Sequence, residues 1–357
     1  MSRKILVILL RSFGDVVAAL PALRALRAAL PQSRIELLIE PPYDQGLLGS
    51  KAHDAVVPYD PSRPLALIME LRRRRYDWVL DFKTTSRSAL LTAASGAPLR
   101  SGYARIGLPH RLAYNSLYDP PRPQYKGLDY LGWVAGLTGK GAAALDFGCE
   151  IPAAPAARAK AFIARSFPSS PPLLVSVAPA SPTSYKRWPA KRYAALVDLL
   201  SSDPGAGVFL VRGRGEKETV EEIAALCRRP PAIAPETPSL LDLAALLKEA
   251  QLHLGPDNGA RQVAQAVGAA TVTIYGPGNP VHWTHPDRLR HRAIKRKCAC
   301  ESGPATMKDR CRALDCLMSV SVEDVRKEIA AALGAKDLTP FGRIASTFHG
   351  SLGEDRA

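Results

Sequence analysis

Residues 254–268 read LGPDNGARQVAQAVG, and residues 271–280 read TVTIYGPGNP. An apolar run ends in Asp-Asn-Gly at 257–259, a helical pattern follows, and Gly268 ends it before a β-branched run. This order predicts a strand, a tight turn, a helix, a second strand and a loop. The first N–H groups of such a helix lack intrahelical partners, and the helix dipole favours an anion there, such as a phosphate. An ordinary Asn-Gly turn, with the Asp or the Asn as helix N-cap, explains the same residues.

A second strand–turn–helix pattern opens the chain. The apolar run at 3–10 fits a strand buried on both faces of a parallel sheet, and residues 16–26 carry apolar side chains at helical spacing. The turn between them, residues 11–15, ends in Gly-Asp. Because ligands of open α/β sheets bind at the carboxyl ends of strands, Asp15 lies where a catalytic group is expected. The alternative is that Asp15 only stabilises the first turn of the helix.

Strand and helix patterns alternate through both halves of the chain, and a Pro/Ser-rich break at 167–172 separates two βαβ series. The predicted strands beyond the first are 34–39, 55–59, 78–82, 173–178, 208–211 and 252–254, and two of the predicted helices are 65–73 and 153–166. The sequence therefore predicts an α/β fold of two Rossmann-like doubly wound domains facing a central cleft. The expected domains are 1–168 and 169–338, followed by a tail at 339–357 that lacks periodicity.

Composition narrows the class of partner. The chain has 357 residues, enough for two cores, and its net charge of +15 with a pI of about 9.7 favours an anionic partner. Nucleic acid is the least favoured, since no RNA-binding signature or zinc-finger spacing is present. The N-terminal apolar run is broken by Arg11, far short of the ~20 residues that span a bilayer, and no cleavage-type site follows. We expect a cytoplasmic protein, free or at a membrane surface.

Four motifs occur in order along the chain. They are GDV at 14–16 followed by LPAL at 20–23, KRWP at 186–189 followed by RY at 192–193, GRGE at 213–216, and DNG at 257–259 with YGP at 275–277. Together they resemble glycosyltransferase family 9, the heptosyltransferases that build the inner core of lipopolysaccharide, from residue 3 to about residue 331. The resemblance implies a GT-B architecture, with the acceptor at the N-terminal domain and the nucleotide sugar at the C-terminal one. It also implies inverting transfer from an ADP-activated heptose.

The residues suit that chemistry. An inverting transfer needs a base for the acceptor hydroxyl, and positive charge or N–H donors for the leaving diphosphate. Asp15 is the candidate base, the role that the resemblance implies for the acid of the Gly-Asp motif. Lys186 is the candidate cation, held before a helix that begins near Pro189, although a solvated surface lysine is the alternative. Glu216 matches an acid that binds ribose hydroxyls in the family, and an exposed helix acid is its alternative.

The full set of candidate contacts follows from these motifs. For the nucleotide sugar they are Ser181, Thr183, Lys186, Glu216, Asp257, Asn258, Gly259, Ala260 and Gln262, and for the acceptor they are Ser12, Gly14 and Arg87. The resemblance implies an anionic lipid-linked glycan acceptor, which the arginines of the first domain suit, and peripheral contact with the inner face of the cytoplasmic membrane. No nucleic acid is expected.

Two positions depart from the family pattern. Gln262 stands where the family commonly has His near the diphosphate, and it cannot carry positive charge. Neighbouring Arg261 is an alternative source of that charge, against which stands the rule that adjacent helical residues face different directions. Ala178-Pro179-Ala180 stands where a Gly-containing turn is usual, which predicts a less close backbone approach to phosphate.

Metal binding is weakly indicated. No Asp-x-Asp pair is present, so we expect chemistry that requires no cofactor or catalytic metal. Four late cysteines, Cys298, Cys300, Cys311 and Cys316, indicate a structural metal before a disulfide in a cytosolic protein, although their spacing fits the usual zinc pattern poorly.

Two alternative functions stay open from the sequence. Another GT-B nucleotide-sugar enzyme, such as a UDP-sugar epimerase, would share the architecture and differ in nucleotide preference. A non-catalytic glycan-binding relative is the other alternative, and Gln262 favours it, whereas Asp15 and Lys186 favour an enzyme.

Overall fold

The computed structural model describes residues 2–141, 144–297 and 314–334. The chain divides into two compact units, Met1–Glu150 and Ile151–Ala357, and each contains a six-stranded parallel sheet. The predicted α/β class and the doubly wound sheets are therefore confirmed.

The first unit alternates strands and helices as its sequence pattern predicts. Its elements are β1 Lys4–Ile8, α1 Phe13–Ala29, β2 Arg34–Ile39, β3 Ala55–Pro58, α2 Pro64–Arg74, β4 Trp78–Asp81, α3 Ser86–Ala94, β5 Leu99–Tyr103, β6 Ser116–Tyr118 and α4 Lys126–Thr138. Short 3₁₀ turns lie at Tyr43–Leu47 and His110–Ala113. The sheet order β3-β2-β1-β4-β5-β6 puts β1 between β2 and β4, at the point where the strand order reverses.

Helices cover both faces of this first sheet. Right-handed crossovers place α1 on one face, where α4 packs against it, and α2 and α3 on the other. On the second face Leu67, Leu71 and Leu91 pack against strand residues such as Leu6 and Ile8. The β1 side chains from Ile5 to Ile8 are fully buried, as expected for a central strand.

The second unit repeats the pattern. Its elements are α5 Ala153–Ser166, β7 Leu173–Val177, α6 Ala190–Ser201, β8 Ala206–Leu210, α7 Lys217–Leu226, β9 Ala232–Ile233, α8 Leu240–Lys248, β10 Leu252–Pro256, α9 Gly259–Ala266, β11 Ala270–Tyr275, α10 Pro280–Trp283, β12 His291–Lys295, α11 Asp315–Met318 and α12 Val322–Ala332. A 3₁₀ turn lies at Ser184–Lys186. The sheet order is β12-β11-β10-β7-β8-β9.

The two faces of the second sheet differ in polarity. One face carries the apolar core, in which Val177, Leu254 and Val272 pack with α6 and α12. The other face buries polar side chains, among them His253, whose Nδ1 lies 2.9 Å from the hydroxyl of Ser176. Burial lowers the pKa of His253 to about 3, so this imidazole is neutral at physiological pH.

Helix α5 opens the second unit. This helix packs on α8 of the second unit, where Arg158 pairs with Asp242, and Phe162 lies edge-on to Phe209 at a centroid distance of 5.8 Å. The chain divides between Glu150 and Ile151, before α5, whereas the sequence places the domain boundary after it, at 168/169. That boundary stays a prediction, and the expected tail at 339–357 lies outside the described residues. Within the described part of the chain, no helix is long and apolar enough to cross a membrane.

Candidate functional site

Asp15 is held at the start of α1, directly after the carboxyl end of β1. Ser12 is the N-cap, with a left-handed backbone at φ 76°. Its hydroxyl accepts a hydrogen bond from the Asp15 N–H at 3.3 Å and donates to Asp15 Oδ2 at 3.0 Å. The carboxylate is therefore both a first-turn acid of α1 and a buried group, 7 % exposed, at the strand-order reversal where α/β proteins bind ligands.

A lysine that the sequence analysis did not select also reaches Asp15. Lys83 Nζ lies 2.6 Å from Asp15 Oδ2, and it comes from the loop that follows β4, the neighbour of β1. Asp81 organises this loop, because its Oδ1 accepts the N–H groups of Lys83 at 3.0 Å and Thr84 at 2.9 Å. Burial raises the pKa of Asp81, and the hydroxyl of Tyr114, 2.7 Å from Oδ2, opposes that shift.

Helix α4 supplies a contact to the other oxygen of the Asp15 carboxylate. The hydroxyl of Tyr130 donates to Asp15 Oδ1 across a long 3.3 Å bond. Burial, followed by the charge of Asp15, holds the pKa of Tyr130 well above its usual range, so Tyr130 remains a donor. Lys126 donates to the hydroxyl of Tyr103 at 2.7 Å and lies over the rings of Tyr103 and Tyr130. Its burial lowers the Lys126 pKa.

The two other residues predicted for the acceptor are Gly14 and Arg87. Gly14 precedes Asp15 within the first turn of α1. Arg87 is exposed in the first turn of α3, four residues after Lys83, and its guanidinium lies 5.8 Å from the centroid of the Tyr59 ring. Tyr59 follows β3, so Arg87 also belongs to the carboxyl edge of the sheet.

In the second unit, Lys186 and Asp257 form a pair. Lys186 Nζ lies 2.8 Å from Asp257 Oδ2 and 3.0 Å from the Asp257 carbonyl oxygen. The other carboxylate oxygen, Oδ1, lies 3.3 Å from the guanidinium of Arg261, which is fully buried and also donates to the Trp283 carbonyl at 2.7 Å. Asp257 therefore holds two cations beside the N-terminus of α9.

The loops that carry this pair are fixed by two close approaches. Asn258 caps α9 by accepting the Arg261 N–H at 3.0 Å, and its Nδ2 donates to the Ala178 and Ala180 carbonyl oxygens at 3.3 and 3.0 Å. Gly276 runs so close to the Lys186 turn that a Cβ atom there would lie 2.4 Å from the Tyr185 carbonyl oxygen. The loop at residues 178–180 is thus bonded to Asn258 in the α9 turn, and its less close approach to phosphate stays a prediction.

The remaining donor-site candidates follow the carboxyl ends of β7, β8 and β10. Gly259 and Ala260 open α9, where the first N–H groups have no carbonyl partner within the helix. Ser181 is buried, and its hydroxyl accepts the N–H of Thr183 at 3.2 Å. Glu216 is half-buried before α7 and accepts the Gly213 N–H at 2.7 Å, so it is not the exposed helix acid of the alternative interpretation.

Gln262 and Arg261, at the departure from the family pattern, are both buried in the structure. Gln262 is buried, and within residues 2–141, 144–297 and 314–334 its Oε1 has no hydrogen-bond partner. Arg261 reaches the residue before the cap of α9, because its guanidinium lies 3.3 Å from Asp257 Oδ1. A positive charge therefore lies beside the α9 turn, and its service to the diphosphate in place of a histidine stays a prediction.

The cysteine cluster is mostly outside the described residues. Cys298, Cys300 and Cys311 lie there, so metal binding stays a prediction. Cys316 is buried in the apolar core of the second unit, next to Leu317 in α11. In the part of the chain that the structure describes, no group of three or more His, Cys, Asp and Glu side chains could hold a metal ion.

Lys83, Lys126 and Tyr130 were not predicted from the sequence. Lys83 follows a predicted strand, which is a usable signal, but the sequence does not reveal that this strand neighbours β1. Lys126 and Tyr130 lie more than 100 residues after Asp15 in an ordinary amphipathic helix, and only the packing of α4 on α1 brings them to the carboxylate.

Comparison with known proteins identifies the family. The profile of glycosyltransferase family 9 (heptosyltransferase) matches residues 65–314, which is more than half of the chain. The chain belongs to glycosyltransferase family 9. It is therefore a glycosyltransferase, and the predicted family is confirmed.

Named members of glycosyltransferase family 9 resemble most of the chain. The lipopolysaccharide core heptosyltransferase OpsX of Haemophilus influenzae is 26 % identical over 287 residues, which cover 78 % of this chain and 80 % of OpsX. A family 9 glycosyltransferase of Veillonella parvula has a solved structure with a TM-score of 0.77 at 22 % identity, covering 93 % of this chain and 98 % of that one. The solved structure of Escherichia coli heptosyltransferase WaaC with ADP-2-deoxy-2-fluoro heptose has a TM-score of 0.68 at 22 % identity, and the match covers 91 % of this chain and 98 % of that one. These likenesses confirm the predicted GT-B fold.

Proposed function

We propose that this protein transfers a heptose from ADP-heptose, with inversion, onto the inner core of lipopolysaccharide or a related glycan. The observation that carries the proposal is the buried Asp15 carboxylate at the start of α1, beyond the carboxyl end of the central strand β1, oriented by Ser12, Lys83 and Tyr130. The family supports it, as do two names among the relatives: OpsX is a lipopolysaccharide core heptosyltransferase, and WaaC was solved with an ADP-heptose analogue.

Asp15 acts as the general base in this proposal. Oδ2 already accepts bonds from Lys83 and Ser12, whereas Oδ1 accepts the long Tyr130 bond. The acceptor hydroxyl gives its proton to Asp15 Oδ1 while the hydroxyl oxygen forms a bond to the anomeric carbon of the heptose. At the same time the bond between the anomeric carbon and the diphosphate oxygen breaks, and the diphosphate oxygen keeps the electron pair. ADP leaves, and a single displacement inverts the anomeric centre.

The second unit stabilises the leaving diphosphate. Lys186 and the N–H groups of Asn258, Gly259 and Ala260 supply positive charge and donors at the start of α9. A carboxylate would repel a diphosphate, so we assign Asp257 to positioning: it holds Lys186 and Arg261 at the turn. The Lys186 side chain is 28 % exposed. Its ammonium can therefore replace one contact with an Asp257 oxygen by a contact with a phosphate oxygen.

Nucleoside recognition falls to the surrounding loops. Glu216 uses one carboxylate oxygen for the Gly213 N–H, which leaves the other for a ribose hydroxyl. Ser181 and Thr183 form a small turn that we assign to the phosphate side. In this proposal the side-chain amide of Gln262 donates a neutral hydrogen bond to the diphosphate. Arg261 supplies the positive charge that a histidine at position 262 would carry.

The acceptor side completes the proposal. Ser12 and Gly14 shape the turn around Asp15, and Arg87 at the same sheet edge binds a carboxylate or phosphate of the glycan. The acceptor is an anionic lipid-linked glycan, so the protein works in the cytoplasm at the inner face of the membrane, without nucleic acid and without a cofactor in the reaction.

The test is acceptor-dependent release of ADP. The full-length protein is incubated with ADP-heptose and a truncated core lipid, with Asp15→Asn as the variant and Lys51→Gln, at an exposed lysine, as the control. We expect release only with acceptor, a loss of about 10²–10⁴-fold in Asp15→Asn and none in the control. Release that survives Asp15→Asn contradicts the base assignment. ADP binding without release indicates another sugar or acceptor, and the absence of ADP binding excludes the donor.

A further inference from the structure

The exposed apolar side chains of the first unit share one location. Among the described residues, nine large hydrophobic side chains are exposed, and five of them belong to this unit. These five, each between 60 % and 77 % exposed, are Leu65, Met69, Leu90, Leu108 and Leu112. Isolated exposed leucines need no explanation, but a concentration of them on one surface marks an interaction site.

All five lie on the α2–α3 face of the sheet. Leu65 and Met69 are four residues apart on α2, on the side opposite to Leu67 and Leu71, which pack on the strands. Helix α3 contacts α2 through the Arg72 guanidinium, which donates to the Ala94 carbonyl at 2.9 Å. We call α2, α3 and residues 104–113 the outer layer.

The outer layer continues from α3 to the loop after β5. Ala89 of α3 packs with Ala113 and Tyr114, and Ile106 and Leu117 border that contact. Outside it lies an open groove of about 750 Å³, lined by aliphatic side chains that include Leu108 and Leu112, with Arg111 among them. Leu108 and Leu112 therefore lie in a loop that packs directly on α3.

Charge distinguishes this surface from a generic apolar patch. Arg72 to Arg75 end α2, and Arg63, Arg87, Arg105 and Arg111 lie around it. The acids of the layer are neutralised locally: Glu70 pairs with Arg74 at 2.6 Å, and Asp119, just beyond it, pairs with Arg105 at 3.2 Å. Exposed leucines beside an excess of arginines match the interface of an anionic bilayer, where apolar side chains enter the headgroup region and cations bind phosphates.

We propose that the outer layer docks this protein on a membrane surface rich in anionic phospholipid, with Leu65, Met69, Leu108 and Leu112 inserted between headgroups. The proposal deepens the membrane contact of the proposed function by assigning it to one face. Leu65 follows β3, Leu108 follows β5 and Asp15 follows β1, so the docking residues begin at the same sheet edge as the proposed base. A lipid-linked acceptor in the bilayer would then lie next to that edge.

The experiment measures sedimentation of the full-length protein with phosphatidylglycerol vesicles and with phosphatidylcholine vesicles. The test variant is Leu108→Glu/Leu112→Glu, and Leu65→Glu/Met69→Glu is a second variant on a different element. The matched control is Leu226→Glu/Leu289→Glu, two exposed leucines of the second unit, 43 % and 78 % exposed. Circular dichroism and the melting temperature verify folding of each variant.

We expect wild type and control to bind phosphatidylglycerol vesicles and not phosphatidylcholine vesicles, and both test variants to bind at least tenfold more weakly. Raising the salt to about 0.5 M should weaken the wild-type binding. Equal binding to both lipids, no binding by wild type, or equal loss in the control overturns the proposal. So does a wild-type dimer that Leu108→Glu/Leu112→Glu converts to monomer without any vesicle binding, because a second copy then covers the layer.

An activity assay separates this inference from the proposed function. With a water-soluble truncated acceptor, the Leu108→Glu/Leu112→Glu variant should transfer heptose at the wild-type rate. With an acceptor embedded in phosphatidylglycerol vesicles, the transfer rate of this variant should fall by the same factor as its binding to the vesicles. If wild type transfers nothing to either acceptor, the proposed function fails while the vesicle result still decides the docking proposal.

Discussion

The ammonium of Lys83 lies 2.6 Å from Asp15 Oδ2, although 68 residues separate the two in the chain. Each follows the carboxyl end of a strand, and the two strands, β1 and β4, are neighbours at the reversal of the strand order. One oxygen of the proposed base is thereby fixed by a cation, and the other accepts the long bond from Tyr130. The proposed chemistry depends on this division between the two oxygens.

Lys83 should act as a positioning residue. In Lys83→Met the Asp15 carboxylate loses its shortest contact, so we expect kcat to fall between about tenfold and about a hundredfold with the KM for ADP-heptose unchanged. Lys83→Arg should restore part of the rate because it restores the charge. Steady-state kinetics with Lys51→Gln as the control measures this, and an unchanged kcat in Lys83→Met would show that Ser12 and Tyr130 suffice.

Asp257 should contribute to stability as well as to donor binding. Asp257→Asn leaves the fully buried Arg261 without its carboxylate, and breaking a buried ion pair costs roughly 3 kcal/mol. We take the lower end of the usual range because Arg261 still donates to the Trp283 carbonyl. Urea denaturation measures the free energy of unfolding. A change below about 0.5 kcal/mol would contradict the assigned role.

Gly276 should be intolerant of a side chain. A Cβ at this position meets the Tyr185 carbonyl oxygen at 2.4 Å, so Gly276→Ala must shift the turn that carries Lys186. We expect ADP affinity, measured by calorimetry, to fall at least about tenfold, which corresponds to 1.4 kcal/mol. Gly136→Ala is the matched control, since nothing lies within 4 Å of its added Cβ. Equal affinity in the two variants would argue against the close approach.

Glu216 and Glu218 provide a second matched pair. Glu216 is half-buried and bonded to the Gly213 N–H, whereas Glu218 is exposed in the first turn of α7. Glu216→Gln should weaken ADP binding about tenfold or more, because a hydrogen bond to a charged acceptor is worth roughly 1.5–3 kcal/mol. Glu218→Gln should bind ADP like wild type. Identical affinities would leave Glu216 with only its loop-holding role.

Asp81 gives a pH dependence with a definite sign. Burial raises its pKa above the ordinary value of 3.8 in the folded protein. The folded state therefore binds more protons than the unfolded chain, and the stability that this group contributes is full below pH 3.8 and is lost as the pH rises through the folded value. Asp81→Asn keeps the neutral form at every pH.

The free energy of unfolding of Asp81→Asn, relative to wild type, should thus increase with pH from about 4 upward. The slope is at most about 1.4 kcal/mol for each pH unit. Urea denaturation of both proteins between about pH 4 and pH 7 measures the difference, and a difference that stays constant or decreases with pH would contradict the raised pKa.

Several elements were predictable from local pattern. The strand at 34–39 and the helix at 153–166 were predicted with the bounds that the structure shows, because apolar periodicity and Pro or Gly breaks are local signals. Asn258 as the cap of α9 and the helix after Pro189 follow from equally local chemistry. The contact of Arg261 with Asp257 was not predictable in this way, since Asp257 lies in the turn before the helix and its side-chain position depends on the turn.

The sequence by itself determined the α/β class, the two series of parallel strands, the family and the identity of Asp15 and Lys186 as candidates, since these depend on periodicity and on short motifs. Only the tertiary structure decided which strands are neighbours, and with them which side chains meet. Lys83 and Tyr130 reach Asp15 because β4 pairs with β1 and α4 packs on α1. The collection of exposed leucines and arginines on the outer layer follows in the same way from crossover handedness, which puts α2 and α3 on one face.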